Sequence, residues 1–110
     1  MELPNFRHNL LMLKTEMHTV LNMFIYANET DVFDIAKIFK LIEYLSMLEK
    51  NTLFLVSKIR NSISHFKNET TINEYNTFLN DEVYNFLNYV SRTKGEMSIH
   101  RELLIRNLVN

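Results

Sequence analysis

In the stretch Arg60-Asn61-Ser62-Ile63-Ser64-His65, a permanent cation, an amide, two hydroxyls and an imidazole follow one another within six residues. These types suit phosphodiester cleavage. A neutral His takes a proton from an attacking hydroxyl, and a protonated His returns one to a leaving oxygen. The planar fork of Arg matches phosphate and stabilises the charge that develops on it in the transition state. Arg60 and His65 are therefore the candidate catalytic pair, with Asn61 able to position either. Ser64, Lys58 and Lys67 are candidate substrate-binding groups beside them. This chemistry needs neither a metal nor a cofactor. Residues 58–67 hold Lys58, Arg60 and Lys67 without an acid, so a chain of net charge −1 can still show a local basic patch.

Other chemistries find little support. The chain has no Cys, which excludes disulfides, thiolate metal sites and a cysteine nucleophile. His8, His18 and His100 lack His or acid partners at metal-ligand spacing such as H-E-x-x-H. There is no Gly-rich phosphate loop and no nucleophile elbow. Asp31 with Asp34, and Asp81 with Glu82, read as helix-terminal acids. Tyr75, Tyr84 and Tyr89 read as packing or interface residues. Met12, Met17, Met23 and Met47 read as core filler.

The elements that must position the motif are helices. One Gly and one Pro in 110 residues leave almost no turn chemistry for a sheet. Leu10, Leu13, Met17, Val20, Leu21 and Phe24 recur at helical spacing and predict a first helix from about Asn5 to Tyr26. Asn28-Glu29-Thr30 reads as a break, with Asp31 capping a second helix through Ile35, Ile38, Phe39, Ile42, Leu45 and Leu48. That helix is expected to end near Lys50-Asn51. Asn51 or Thr52 then caps a third, whose stripe is Leu53, Val56, Ile59, Ile63 and Phe66. Thr71 to Glu74 reads as a capping box for a fourth region, interrupted near Asn80-Asp81 and stopped by Gly95. Ser98 caps a short last helix with Ile99, Leu103, Leu104 and Leu108. The expectation is a single all-α domain over 1–110, an up-and-down bundle of four to five helices.

On an ideal helix Arg60 and Ser64 lie within ~40° of each other, as do Asn61 and His65, whereas Arg60 and His65 are roughly 140° apart. All four lie off the apolar stripe. Two copies brought together would make a denser site, with two Arg and two His around one groove.

The motif resembles the R-x4-6-H signature of the HEPN superfamily, in which a polar residue, often Asn, follows the Arg, as Asn61 does here. Requiring that Asn lowers the chance expectation, for a chain with five Arg and four His, from about half a match to under a tenth. The position two residues after the His is Lys67, a departure from the Tyr of the branch paired with small nucleotidyltransferase antitoxins. The resemblance implies an HEPN-like helical domain that acts as a homodimer with a composite site. It implies metal-independent cleavage of RNA by 2′-hydroxyl attack, with Arg60 and His65 catalytic, in a toxin–antitoxin, phage-defence or CRISPR-associated setting. An antitoxin or defence-complex protein is the implied partner.

The alternative reading is a non-catalytic helical module that binds RNA or protein, such as a small subunit or inhibitor of a defence complex. A helix-turn-helix DNA binder is disfavoured by the net charge and by the lack of Gly between the third and fourth helices. The start of the chain lacks the pattern of a signal peptide, and no apolar run reaches bilayer length, so a cytoplasmic protein without membrane contact is expected.

Overall fold

The computed structural model describes residues 2–29 and 35–109, with side chains over 2–26 and 35–108. The described residues are almost wholly helical and contain no strand. Helix α1 runs Glu2–Glu29, α2 Ile35–His65, α3 Glu69–Phe78 and α4 Tyr84–Val109, with a π-helical turn, Leu79–Val83, joining the last two. The described residues therefore form three long helical rods rather than five separate segments. The expected caps at Asp31 and Asp34 lie outside the described residues.

Pro4 falls in the first turn of α1, where its missing N–H has no helical partner to lose. Asn68, extended at φ −80° and ψ 120°, caps α3, its Oδ1 accepting from the Thr71 amide at 3.2 Å. The helix thus starts a turn before the expected box at Thr71–Glu74, and Thr71 supplies the capped amide.

Two expected breaks are continuous helix. At Lys50-Asn51-Thr52, Thr52 does not cap anything. It is fully buried, and its hydroxyl donates to the Leu48 carbonyl at 2.6 Å, one turn back. Ser98 does the same toward the Lys94 carbonyl at 2.9 Å, so α4 passes through both Gly95 and Ser98. Gly95 is exposed inside that helix, and a Cβ there would meet nothing within 4 Å. Gly95→Ala is accordingly expected to stabilise the fold by about 0.5–1 kcal/mol through helix propensity, read as a raised midpoint in urea unfolding.

The rods run up, down and up. Glu2 on α1 meets Ser62 on α2, Phe6 meets Tyr75, and Phe24 meets His100. Glu49 on α2 bridges to α4, accepting from Ser91 at 2.6 Å and Lys94 at 3.3 Å. The Ser91 hydrogen bond holds the Glu49 carboxyl below its ordinary range, against the opposing effect of burial and with help from the Lys94 charge. The stabilisation from this bridge is therefore present above the ordinary carboxylate range and fades as pH falls through the lowered value.

One continuous core fills the space between the rods, from Leu3 and Phe6 at one end, through Leu45, Ile59, Val83 and Val90, to Met97. The result is a rod of 61 × 21 × 17 Å with a radius of gyration of 17.5 Å, where a compact chain of this length has about 13 Å. No helix among the described residues is long and apolar enough to cross a membrane.

Candidate active site

The motif occupies the last two turns of α2, at the end of the rod where α1 and α3 begin. The buried stripe Leu48, Thr52, Leu55, Val56 and Ile59 passes into half-buried Ile63 and Phe66, and this fixes which way the other residues face. Arg60, Asn61, Ser64 and His65 are all exposed, as their positions off the stripe require. The Phe66 amide donates to the Ile63 carbonyl at 3.1 Å and closes the helix just past His65.

Arg60 turns toward α4. Its Nη2 donates to the Tyr84 hydroxyl, and its guanidinium lies 5.6 Å from the centre of the Tyr84 ring. A phenol fixes the fork without cancelling its charge, unlike a carboxylate. Tyr84 is the first residue of α4, directly after the π-helical turn, and its half-buried ring packs on the core. The extra residue of a π-turn rotates all that follows it around the axis, and such turns recur at functional sites. Sequence reasoning missed this contact. A tyrosine 24 residues from the Arg, across an irregular turn, leaves no periodic signal.

Asn61 turns the other way. With Glu2, Asn5, Asn9, Lys58 and Ser62 it lines an open polar hollow of about 380 Å³ between α1 and α2. Ser62 donates to Glu2 there, tying the start of α1 to the end of α2. The Ser64 hydroxyl donates to the Asn61 carbonyl at 2.6 Å, so its hydrogen serves its own helix and its lone pairs remain to accept. Lys58 stands with its ammonium 4.6 Å from the Phe54 ring, and exposed Lys67 lies in the α2–α3 turn. The structure thus gathers the motif residues at one end of the rod but divides them between two sides of α2. Arg60 is on the α4 side and Asn61 on the α1 side. His65, one helical turn beyond Asn61, closes α2 in solvent.

The remaining histidines lie elsewhere. His8 and His18 are exposed on α1, and half-buried His100 meets Phe24 edge-on at 6.0 Å. Among the described residues no three His, Asp or Glu side chains gather as a metal site. Met17 is buried, but Met12, Met23 and Met47 are 53%, 51% and 59% exposed, which corrects their reading as core filler. They line the groove between α1 and α2, which no third helix among the described residues lines.

No family model matches this chain, and no curated protein or solved structure matches it.

Proposed function

We propose that the chain is a metal-independent endoribonuclease of the HEPN type, working as a homodimer, and that its bundle is HEPN-like. The observation that carries this reading is the state of Arg60. Its fork is oriented by the Tyr84 phenol rather than by a carboxylate, and sits in solvent about 1.4 turns before an exposed His65. In the proposed reaction a neutral His65 takes the proton from a ribose 2′-hydroxyl. The 2′-oxygen attacks the adjacent phosphorus, and the bond from phosphorus to the 5′-oxygen breaks. A protonated His65 on the second copy gives its proton to that departing oxygen. Arg60 stabilises the charge that builds on the non-bridging oxygens, while Asn61, Ser64, Lys58 and Lys67 hold the flanking backbone. The products are a 2′,3′-cyclic phosphate and a 5′-hydroxyl. The second copy is required because one α2 presents its Arg and His ~140° apart.

The test is RNA incubated with the protein in chelator, with product ends read by mass spectrometry. Cyclic phosphate ends, and resistance of a substrate with 2′-deoxyribose at the cleaved position, are expected. Intact RNA, or cleavage of the 2′-deoxy substrate, defeats the reading.

A second reading, a non-catalytic helical module within a defence complex, is favoured by the uncovered α1–α2 groove and its exposed Met and aromatic side chains. A stable stoichiometric complex, formed equally well by His65→Ala and without RNA cleavage, distinguishes it.

A further inference from the structure

The groove between α1 and α2 starts at the motif, and its first half has a chemistry of its own. Two hollows follow one another there, of about 380 and 210 Å³, sharing Asn9 and Lys58. On α2 the positions Asn51, Phe54, Lys58, Asn61 and His65 are spaced at alternate steps of three and four, so that all lie within ~80° around the helix. One face of α2 thus leads from an aromatic ring to the histidine, ~16 Å away along the axis. Opposite it, α1 supplies Asn5 and Asn9. Four carboxamides, one ammonium and one ring therefore share an open channel, backed by half-buried Leu13 and buried Leu55. Phe54 offers its ring to solvent, 63% exposed, with the Lys58 ammonium 4.6 Å from its centre. The acid that lines this stretch, Glu2, accepts from Ser62. Other hollows differ in this respect. Glu74 and Glu82 line the one between α1 and α3, and Glu16 lines the apolar far half of the α1–α2 groove.

We propose that this half of the groove binds one unpaired adenine of a single-stranded RNA, its ring stacked on Phe54, its edge on Asn9 and Asn51, and its phosphate on Lys58. This deepens the ribonuclease reading, and rests on it for the choice of RNA as the strand, by naming a base that the substrate carries a few nucleotides from the cleaved bond. Single strands expose base faces, which stack on aromatic side chains, whereas a duplex covers them with neighbouring bases. The carboxamides choose the base. Each presents a donor beside an acceptor, and adenine answers with the acceptor N7 beside its N6 amino group, so that two bonds form. Guanine presents two acceptors, N7 and O6, on the same edge and leaves the carboxamide oxygen facing one of them. Pyrimidines offer a smaller face to Phe54. Lys58 holds the strand without reading it, since a phosphate carries no sequence information. A partner helix laid here would bury the carboxamides, each then needing a matched hydrogen-bonding group. A base edge brings such groups with it.

Heptamers of 2′-O-methyluridine with A, G, C or U at the centre test this, because a blocked 2′-oxygen cannot attack and binding is read without cleavage. Fluorescence anisotropy is expected to show the A heptamer bound about tenfold more tightly than the others. Phe54→Ala is expected to weaken that binding about tenfold, and Phe54→Tyr to keep it. Asn9→Ala combined with Asn51→Ala is expected to remove the preference for A. Lys58→Gln is expected to lower the slope of log affinity against log salt by ~0.7, the share of one phosphate on a single strand. All four side chains are exposed, so circular dichroism of the variants stays that of wild type. Adenosine 5′-monophosphate, which lacks the neighbouring phosphates, is expected to bind about tenfold more weakly than the heptamer. Equal affinity for the four heptamers, variants that bind like wild type, or a mononucleotide held as tightly as the strand overturn the inference. Cleavage of unmodified RNA without preference for A, and unchanged by Phe54→Ala, sinks the base site alone. An A-selective strand that is bound here and stays intact with its 2′-hydroxyls free sinks the ribonuclease reading alone.

Discussion

In the proposed ribonuclease, alanine at His65 is expected to lower RNA cleavage by at least about a hundredfold, the lower end of what a positioned acid–base group supplies. Alanine at Arg60 is expected to lower it by a similar factor, through loss of charge stabilisation at the phosphate. Both side chains are exposed, so thermal unfolding of the two variants stays close to wild type. Arg60→Lys falls between, because it keeps the charge and loses the planar fork. Single-turnover rates on an end-labelled RNA in chelator measure all three. Equal rates for wild type and both alanine variants would remove Arg60 and His65 from the chemistry.

The second large effect concerns the helix that carries the motif. Leu53→Pro is expected to destabilise the chain by about 3 kcal/mol or more. If Thr52 capped a new helix, residue 53 would be its first position, where proline is welcome. In the structure α2 is unbroken, so proline loses the amide bond to the carbonyl of residue 49 and its ring clashes there. Leu53 is 50% exposed, and Leu53→Ala serves as the control for the side chain itself, with a smaller cost. Urea unfolding of the pair checks this, and a proline variant as stable as the alanine one would mean that α2 is broken at Thr52.

That contrast shows how much was legible in the residues. The stripe was: Leu10, Met17, Val20, Ile38, Ile42, Leu45, Leu48, Val56 and Ile59 recur at helical spacing and are buried. So was the exposure of Arg60, Asn61, Ser64 and His65, since it follows from the same stripe. The breaks at Thr52 and Ser98 were misread because a hydroxyl that can cap a helix can also bond back to a carbonyl four residues earlier. Only the neighbouring rods decide between these uses. Tertiary context also overrode the expectation for Phe39, Ile99, Leu103 and Leu108, which continue apolar patterns yet remain at least 49% exposed. Periodicity marks a face as apolar and is silent on whether anything lies opposite. The hold of Tyr84 on Arg60 was invisible for a related reason, since it depends on the phase of α4 after the π-turn.

That turn has a consequence for how the chain tolerates change in length. A residue inserted or removed elsewhere in a long helix rotates everything beyond it by ~100° and scrambles its apolar face. The segment Leu79–Val83 already holds one residue more than an α-helical turn requires. A deletion there meets a local slack that the rest of the rod lacks, and the backbone can close into regular helix. The faces of α3 and α4 would then keep their relative phase, and Tyr84 its place beside Arg60. The joint between α3 and α4 is the part of this architecture where the loss of one residue would spare both helix faces.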